Sequence, residues 1–560
     1  MNKDPNIRFK KMRKFFYILI FFSLKLFGQN LYLKINGTTT LETKKIDSIT
    51  YVKKHLNGKS IVGEVNLLAN KLQKNGFLET KILETKQVND SVFMYGFELG
   101  RRTEFMHIYT GIKNKDLVDS KTDSLVIPFY ESEVFLNGIL KKLESKGFSM
   151  SKLKLTNLKT KKNFVIANLD IVMDKKRQLN DIVVNGYDKF SLGHKRNLKR
   201  LYRNKIFNQQ NLEKLYKDVE QFRFVKQTKY PEILFTKDST KVFIYLEKAK
   251  INTFDGFVGF TNDDNKKLIF TGYIDLVLNN ILNSGERLSL LWRSNGKAQR
   301  IFDIGVEIPY VFKTPIGLKA KLNLTKQDST FQTTQTNIDL GYYFNYNTRL
   351  YLGYQSSESS DIKKVNSSLI SDFTNEFVTA NFEFVNFKSE SFLFPEKTSV
   401  SFKLGTGKRN SKFQDNSQFF GSLTLKHDFY LNDKNIINLK SQNFYLQSDT
   451  YIANELYRFG GINSIRGFNE NSLQGNLFTS ILSEYRYVLS PSLYINSIID
   501  YAFFQDKTIN KSDTLLGIGF GFGLLTKNGL FNFVYANGSN KNQAIQFSNS
   551  IVQVSLKAVF

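Results

Sequence analysis

The second half of the chain, from residue 251 to residue 560, is a series of short segments in which apolar and polar residues alternate. Residues 288–293, 318–325 and 400–404 are clear examples. A period of two is typical of β-strands, and segments of about ten residues separated by turns are typical of transmembrane β-barrels. About sixteen such segments fit into this half. The alternation therefore predicts an all-β, antiparallel barrel of about sixteen strands.

The connections between these segments alternate in length. Tight turns at 345–347, 431–433, 490–491 and 527–529 are interspersed with longer polar loops at 358–374, 448–475 and 506–512. In such barrels the short turns face the periplasm and the long loops face outward. If the first strand runs outward, the loop at about 448–474 is the sixth outer loop.

Composition excludes several other classes of protein. The mean hydropathy of −0.31 is too low for a helical membrane protein, whereas a barrel hides its apolar residues in alternate positions. The absence of cysteine excludes disulfides, thiolate metal sites and cysteine nucleophiles. The net charge of +28 is compatible with an acidic partner or a lipid surface, but dispersed solubilising lysines are the preferred explanation. No basic cluster is interleaved with aromatic residues, so nucleic acid is not an expected partner.

The N-terminus has the features of a secretory signal peptide. Six lysines and arginines precede the apolar run 15–27, which is too short to span a bilayer as a helix. We predict a signal peptide over 1–28, with Met1 and Met12 both open as the start, and an exported mature chain.

Residues 29–250 have mixed helical and strand patterns that recur with a period of roughly 70–75 residues. Each copy combines a helix of amphipathic spacing with two following strands, and the helices are predicted at 61–72, 133–146 and 211–222. We predict three small α+β modules, with boundaries at 29–100, 101–178 and 179–250, followed by the barrel at 251–560.

The sixth outer loop contains a segment that does not alternate, residues 457–468. Its predicted site residues are Gly460, Gly461, Ser464, Arg466, Gly467 and Phe468, which together predict a tight loop with one long cation and one aromatic ring at its tip. Alternation in the next two strands places Glu484 and Asp500 on the inward face. A guanidinium can bridge two carboxylates, so we expect Arg466 to meet both.

Two alternatives to this pairing stay open. Arg486 also points inward and is a rival partner for the carboxylates, and Glu484 and Asp500 are also compatible with ordinary polar lining of a lumen. Alternate glycines at 517, 519, 521 and 523 are predicted to make room on the inner wall for the folded loop.

The loop segment resembles the sixth-loop signature of the BamA and TamA superfamily of outer-membrane assembly and translocation barrels. Glu484 and Asp500 stand where that family places acidic residues that meet the loop arginine. The three modules resemble POTRA modules and make the layout more like TamA. The last strand, with Val554, Leu556 and Phe560 on one face, resembles the C-terminal signal by which outer-membrane barrels are recognised for insertion.

The resemblance implies an outer-membrane protein of a Gram-negative bacterium with its modules in the periplasm. It implies insertion or translocation of unfolded outer-membrane client proteins through a weak seam between the first and last strands, about 252–260 and 548–560. Outer-membrane lipid is an expected partner, and periplasmic or inner-membrane accessory proteins are left open. No cofactor, metal or enzymatic activity is expected, and no G-x-S-x-G nucleophile motif occurs in residues 29–250.

Two other functions remain as alternatives. A dedicated translocase of the two-partner secretion type shares the loop motif, but such proteins usually have two modules and an N-terminal plug helix, and no such helix is predicted between residue 29 and the first module. A passive porin or surface-binding barrel is the alternative from another class, although it would need neither the loop contacts nor the modular arm.

Overall fold

The computed structural model describes residues 30–560, except 112–114, 119–121, 263–267, 296–298, 328–329, 364–365, 368, 389–390, 392 and 547–549. The predicted signal peptide, residues 1–28, lies outside the described residues. The chain divides into two compact units, Met1–Lys176 and Arg177–Phe560. No helix in the described part of the chain is both long and apolar enough to cross a bilayer.

The first unit contains two small modules, each with a four-stranded sheet in which the two middle strands run parallel. The first sheet has the order β2-β1-β4-β3 and the second the order β6-β5-β8-β7. The elements are β1 Leu31–Gly37, α1 Thr40–Asp47, β2 Lys54–His55, α2 Gly58–Lys74, β3 Lys81–Asn89, β4 Val92–Glu98, β5 Phe105–Tyr109, α3 Lys115–Val118, β6 Ser124–Pro128, α4 Ser132–Ser145, β7 Lys152–Lys161 and β8 Phe164–Val172.

Helix α2 illustrates how sequence determines these modules. The Asn57 side chain caps its N-terminus by accepting a hydrogen bond from the Ser60 amide, and apolar residues at helical spacing form its buried face. These residues are Ile61, Val65, Leu68 and Leu72. The helix predicted over 61–72 is thus extended at its start by the capped first turn, which carries no apolar signal.

The second unit begins with a third module that has a three-stranded sheet of order β10-β11-β9. Its elements are β9 Asp181–Asn185, α5 Leu192–Tyr202, α6 Gln209–Glu220, β10 Val225–Phe235 and β11 Thr240–Lys248. Helix α5 was not predicted, because its buried face carries His194 and Asn197 beside Leu198 and Tyr202, and so lacks an apolar stripe.

Polar side chains of the third module dock it onto the barrel. Asn197 Nδ2 donates to the carbonyl oxygens of Lys313 and Thr314 at 3.3 and 3.1 Å, and Arg200 Nη2 donates to that of Tyr343 at 3.1 Å. Just after α6, Gln221 donates to the Phe387 carbonyl and accepts from the Phe387 amide. The polar residues of α5 therefore supply hydrogen-bond donors to backbone carbonyls of the barrel turns.

The rest of the second unit is a closed barrel of sixteen antiparallel strands in the described residues, which confirms the predicted fold class. The strands are β12 Thr253–Asn262, β13 Leu268–Asn279, β14 Arg287–Asn295, β15 Gln299–Ile308, β16 Ile316–Gln327, β17 Phe331–Tyr343, β18 Thr348–Asp361, β19 Phe373–Phe387, β20 Glu396–Ser411, β21 Asn416–Tyr430, β22 Asn435–Gln447, β25 Leu477–Ser490, β26 Leu493–Asp506, β27 Lys511–Thr526, β28 Gly529–Ser539 and β29 Ile551–Val559. The short strands β23 Tyr457–Phe459 and β24 Leu473–Gly475 lie in the connection after β22.

Some strands extend further than the hydrophobic pattern predicted. The predicted loop 358–374 shortens to 362–372, because polar residues of β18 stay paired with β17 as far as Phe331↔Asp361 and with β19 as far as Ser359↔Phe373. Backbone hydrogen bonding, and not apolar alternation, sets where these strands end.

The barrel is closed by an uneven seam. In the described residues β12 pairs with β13 at ten positions and β29 with β28 at eight, but β12 and β29 pair only at Thr253↔Val559 and Phe254↔Ala558. One further hydrogen bond joins the Phe560 amide to the Asn252 carbonyl at 3.0 Å.

The interface between the third module and the barrel should weaken in acid because of His194. Its fully buried ring lies 4.8–5.1 Å from the ring centres of Phe222, Phe224 and Tyr310, and burial, with the charge of Arg349, lowers its pKa to about 3. An exposed histidine has a pKa of about 6.5 and takes up a proton below that pH, whereas the docked His194 stays neutral. The free energy that stabilises the interface is therefore lost as pH falls from about 6.5 toward 3. We expect about 2 kcal/mol less stability at pH 5 than at pH 7.

The hydrogen-exchange protection factors of the α5 amides, compared between pH 7 and pH 5, measure this loss. The variant His194→Leu should show little of the pH dependence, whereas His107→Leu in the second module should retain it. Equal acid sensitivity of the parent and His194→Leu would contradict the prediction.

Candidate functional site

The connection between β22 and β25, residues 448–476, folds back against the inner wall of the barrel. We call it the sixth loop, since it follows the eleventh barrel strand. Its hairpin strands β23 and β24 pair at three positions, and Phe459 stacks on Phe478 of the wall with ring centres 4.1 Å apart. A buried apolar cluster joins the loop residues Phe459 and Ile465 to inward-facing wall residues, namely Phe478, Leu482, Ala502, Phe504 and Leu515.

This apolar contact was not predicted. The alternation was used to find carboxylates on the inward face of β25 and β26, and the same face carries these large apolar residues. Each buried side chain of this size contributes about 1.5–3 kcal/mol, so apolar packing accounts for much of the attachment of the loop.

A tight turn shapes the tip of the sixth loop. Gly460 and Gly461 have φ angles of 108° and 96°, the Ser464 amide donates to the Gly461 carbonyl at 3.1 Å, and Ser464 is buried. Gly467 has a φ of 86°, and a Cβ there would lie 2.4 Å from the Gly538 nitrogen of β28. A side chain at this position would push the loop off the wall.

The wall also makes room for the loop through a glycine. A Cβ added at Gly517 of β27 would lie 2.4 Å from the Arg466 carbonyl oxygen. Phe468 of the loop packs beside Gly538 of β28, where an added Cβ would lie 2.8 Å from the Phe468 ring. The loop tip therefore touches two neighbouring strands, β27 and β28.

The structure brings Arg466 together with both of its predicted partners. Its Nε donates to Asp500 Oδ2 at 2.7 Å, its Nη2 to Asp500 Oδ1 at 2.5 Å, and its Nη1 to Glu484 Oε1. The Arg466 amide adds a bond to Asp500 Oδ2 at 3.0 Å. The side chain of Asp500 is 0% exposed and that of Arg466 is 7% exposed, so this charge pair is withdrawn from bulk water.

The rival arginine joins the pair instead of displacing Arg466. Arg486 Nη2 lies 2.7 Å from Glu484 Oε2, and its Nη1 lies 3.2 Å from Asp428 Oδ1. Asp428 in turn accepts from Asn438 Nδ2 at 2.6 Å. Glu484 is thus shared by two guanidinium groups, one from the loop and one from the wall, and the network extends from β21 to β26.

A second ion pair of opposite polarity anchors the loop near its start. Here the wall supplies the cation and the loop the acid: Arg409 Nη1 of β20 lies 2.5 Å from Glu455 Oε1, and both side chains are 1% exposed. Gln418 Nε2 donates to the other oxygen of Glu455 at 2.8 Å, and Arg409 Nη2 donates to Thr450 Oγ1 at 2.7 Å. Sequence reasoning missed this pair, because Glu455 lies in a loop where alternation gives no direction.

A third, more exposed pair ties the loop to an early strand of the barrel. Glu470 Oε1 lies 2.8 Å from Arg293 Nη1 of β14, with side-chain exposures of 24% and 29%. A cavity of about 430 Å³ adjoins this pair, and its lining includes Gln299, Gln327 and Ser472. No feature of the sequence singles out Arg293 for this contact.

The predicted C-terminal signal residues lie on the outer face of the last strand. Val554, Leu556 and Phe560 are exposed, while Ser555 and Lys557 between them are partly covered. The structure does not bring them near the sixth loop contacts described above. They belong instead to the strand that forms one side of the uneven seam.

Comparisons with known proteins extend these observations only to the fold. No family model matches the sequence, and no curated protein does. CdiB from Acinetobacter baumannii has a similar structure, with a TM-score of 0.50, 14% identity and coverage of 89% of this chain and 97% of that chain. CdiB from Escherichia coli gives 0.50, 13%, 88% and 97% for the same quantities.

A structure of BamA from Haemophilus ducreyi lacking POTRA domains 1–3 aligns with a TM-score of 0.48 and 15% identity, covering 81% of this chain and 98% of that chain. The two CdiB structures share the fold of this chain, in agreement with the fold class predicted from the sequence.

Removing the charge of Arg466 should release the loop tip. Arg466→Gln leaves the fully buried Asp500 without its cation, which costs about 3–5 kcal/mol for a buried pair. We expect faster chymotrypsin cleavage within 457–468 of the folded, purified chain. The barrel itself should stay folded, as judged by a shift in SDS-gel migration between unheated and heated samples.

Two further variants sharpen this test. Arg466→Gln combined with Asp500→Asn should be less destabilised than Arg466→Gln alone, because no buried charge remains unpaired. Lys412→Gln removes an exposed partner of Asp372 and should change cleavage little, since surface pairs contribute about 0–1 kcal/mol. Cleavage at the parental rate in Arg466→Gln would contradict the prediction.

The pair Arg409–Glu455 should anchor the first part of the loop independently of the tip. Arg409→Gln is expected to raise hydrogen exchange over 448–456 and to leave exchange over 462–468 near the parental rate, because the two anchors share no side chain. Arg409→Gln with Glu455→Gln should recover part of the protection through amide hydrogen bonds. Uniform loosening of the whole loop by Arg409→Gln would contradict this independence.

Proposed function

We propose that this chain is an outer-membrane protein assembly factor of the BamA and TamA superfamily, which inserts client β-barrel proteins through the seam between its first and last strands. The observation that carries the proposal is the pairing of β12 with β29 at only two positions in the described residues. A sheet edge with unused N–H and C=O groups is a template for another strand.

The seam offers two such edges. Strand β12 pairs with β13 along residues 253–262 and with β29 only at 253 and 254, so its other positions face the seam without a strand partner in the described part of the chain. Strand β29 is held by β28 over residues 551–558. A client strand entering here would complete the ladder on both sides by strand addition.

The sixth loop supports the proposal as a brace for one side of the seam. Its tip contacts Asp500 of β26, Gly517 of β27 and Gly538 of β28. These contacts stiffen the wall behind β29 without adding to the β12–β29 ladder. A rigid C-terminal wall next to a weak seam allows lateral opening without loss of the barrel.

The modular arm supports handling of extended polypeptides. Each module leaves one long strand at the edge of its sheet, namely β3, β7 and β10, and every residue of β3 is exposed. Exposed edges accept extended segments as added strands. We place the arm in the periplasm and the barrel in the outer membrane of a Gram-negative bacterium, with unfolded outer-membrane proteins as the clients.

Two other functions differ in what they require. A passive porin needs an open lumen, whereas the sixth loop packs an apolar cluster against the inner wall, so the geometry favours the assembly role. A dedicated secretion translocase would share the loop and seam. Depletion of the protein followed by a survey of the outer membrane distinguishes them: the assembly role predicts loss of several barrel proteins, and a translocase predicts loss of one secreted partner.

Locking the seam should block client insertion. Thr253→Cys and Val559→Cys place thiols at opposed positions of the β12–β29 ladder, close enough for a disulfide. In vesicles containing the purified chain, oxidation should reduce insertion of a client barrel at least about tenfold, and a reductant should restore it.

A matched lock elsewhere in the barrel provides the control. Ile499→Cys and Ile518→Cys join β26 to β27 at opposed, exposed positions and should not affect insertion when oxidised. Full insertion by the oxidised seam variant would rule out lateral opening as the mechanism.

A further inference from the structure

A group of exposed apolar side chains lies where the third module docks onto the barrel. Phe312, in the turn between β15 and β16, is 91% exposed, and Leu282, in the turn between β13 and β14, is 72% exposed. Leu192, the first residue of α5, is 62% exposed. None of these residues contributes to the sixth loop or to the seam.

Hydrogen bonds and close packing hold the three residues in one region. The Ser191 Oγ atom, next to Leu192, donates to the Ser284 carbonyl at 3.2 Å, and Asn197 Nδ2 donates to the carbonyl oxygens of Lys313 and Thr314. A Cβ added at Gly193 would lie 3.0 Å from Tyr310 Cβ. Helix α5 therefore runs between the two turns, and we call this surface the collar: α5 with residues 280–286 and 309–315.

The turn that carries Phe312 is strained. Tyr310, Phe312 and Lys313 have φ angles of 55°, 52° and 64°, in the left-handed region that side chains other than glycine rarely adopt. Tyr310 is buried by this arrangement, whereas Phe312 points away from the protein. Such strain persists only where the surrounding structure imposes it, and here its result is the display of an aromatic ring.

The collar is also basic. Helix α5 carries Lys195, Arg196, Lys199 and Arg200 and no carboxylate. Lys199 pairs with Asp181 at 2.5 Å and Arg200 donates to barrel carbonyls. Lys195, Arg196 and Lys313 have no carboxylate partner among the described residues.

We propose that the collar is a lipid-binding site that buries Leu192, Leu282 and Phe312 at the acyl boundary and binds phosphates of anionic phospholipid with Lys195, Arg196 and Lys313. The turns lie where strands leave the barrel, so these side chains continue the apolar outer face of the barrel into the headgroup region. Amphipathic surfaces with basic residues beside apolar ones bind anionic leaflets in this way.

Lipid explains the collar better than a polypeptide does. The three apolar side chains come from separate turns and one helix end, and they form neither a sheet edge nor a groove that a peptide could follow. The inference rests on the location of the barrel in a membrane, and it does not depend on client insertion.

Depth in the bilayer can be measured because the chain has a single tryptophan, Trp292. In a Trp292→Phe background, Phe312→Trp is placed in vesicles containing phospholipid with brominated acyl chains, which quench nearby indoles. Ile499→Trp, on the exposed outer face of β26, is the positive control, and Tyr230→Trp, on β10 of the same module, is the negative control. We expect quenching at 312 and 499 and little at 230.

Three results would overturn the proposal. Quenching at 499 without quenching at 312 removes the collar from the bilayer. Absence of quenching at both 312 and 499 refutes the location of the barrel in the membrane. A spectral shift of the indole introduced at position 312 on addition of unfolded client polypeptide, without lipid quenching, would make the collar a polypeptide-binding surface instead.

The headgroup part is tested by comparing brominated phosphatidylglycerol with brominated phosphatidylcholine at equal mole fraction. We expect the anionic lipid to quench the indole introduced at position 312 about twofold more strongly. The variant Lys195→Gln, Arg196→Gln, Lys313→Gln should lose this preference. The matched variant Lys214→Gln, Lys217→Gln, Lys237→Gln, at other positions of the same module, should keep it. Equal quenching by the two lipids in the unsubstituted collar would refute phosphate binding.

Discussion

The architecture of the second unit depends on keeping charged groups of the sixth loop inside the barrel. Arg466 is surrounded by protein, and it is stable there only because Asp500 and Glu484 neutralise and hydrogen-bond it. The glycines at 467 and 517 follow from this requirement, since the guanidinium reaches its partners only if the backbone of the loop touches the wall. One buried cation therefore determines residues on four elements of the chain.

The three ion pairs alternate in polarity along the sixth loop. The loop provides acids at Glu455 and Glu470 and a base at Arg466, and the wall provides the complementary charges on β20, β14 and β25–β26. Because each contact matches one sign against the other, a loop shifted by a few residues would bring like charges together. Charge order thus specifies the register of a long loop that has little regular secondary structure.

Sequence patterns predicted the parts of this structure that depend on local periodicity. Alternation gave the barrel and the inward direction of Glu484 and Asp500, because a strand has only two faces. It did not give Arg409–Glu455 or Arg293–Glu470, since those pairs join residues far apart in sequence and only barrel closure makes them neighbours. Helix α5 was missed for a related reason: its buried face is polar, and its partners are backbone carbonyls of distant turns.

The ion pairs of the sixth loop differ in exposure, and this difference determines which of them breaks first. Arg293 lies on β14, near the N-terminal edge of the barrel, whereas Asp500 lies on β26, toward the C-terminal edge, so the loop spans both flanks of the gap between β12 and β29. If those flanks move apart, water can take over the partly solvated Arg293–Glu470 contact at small cost, while the dry contact at Asp500 resists. Under the proposed lateral opening, the early strands would therefore move outward, while the sixth loop stays attached to the late strands.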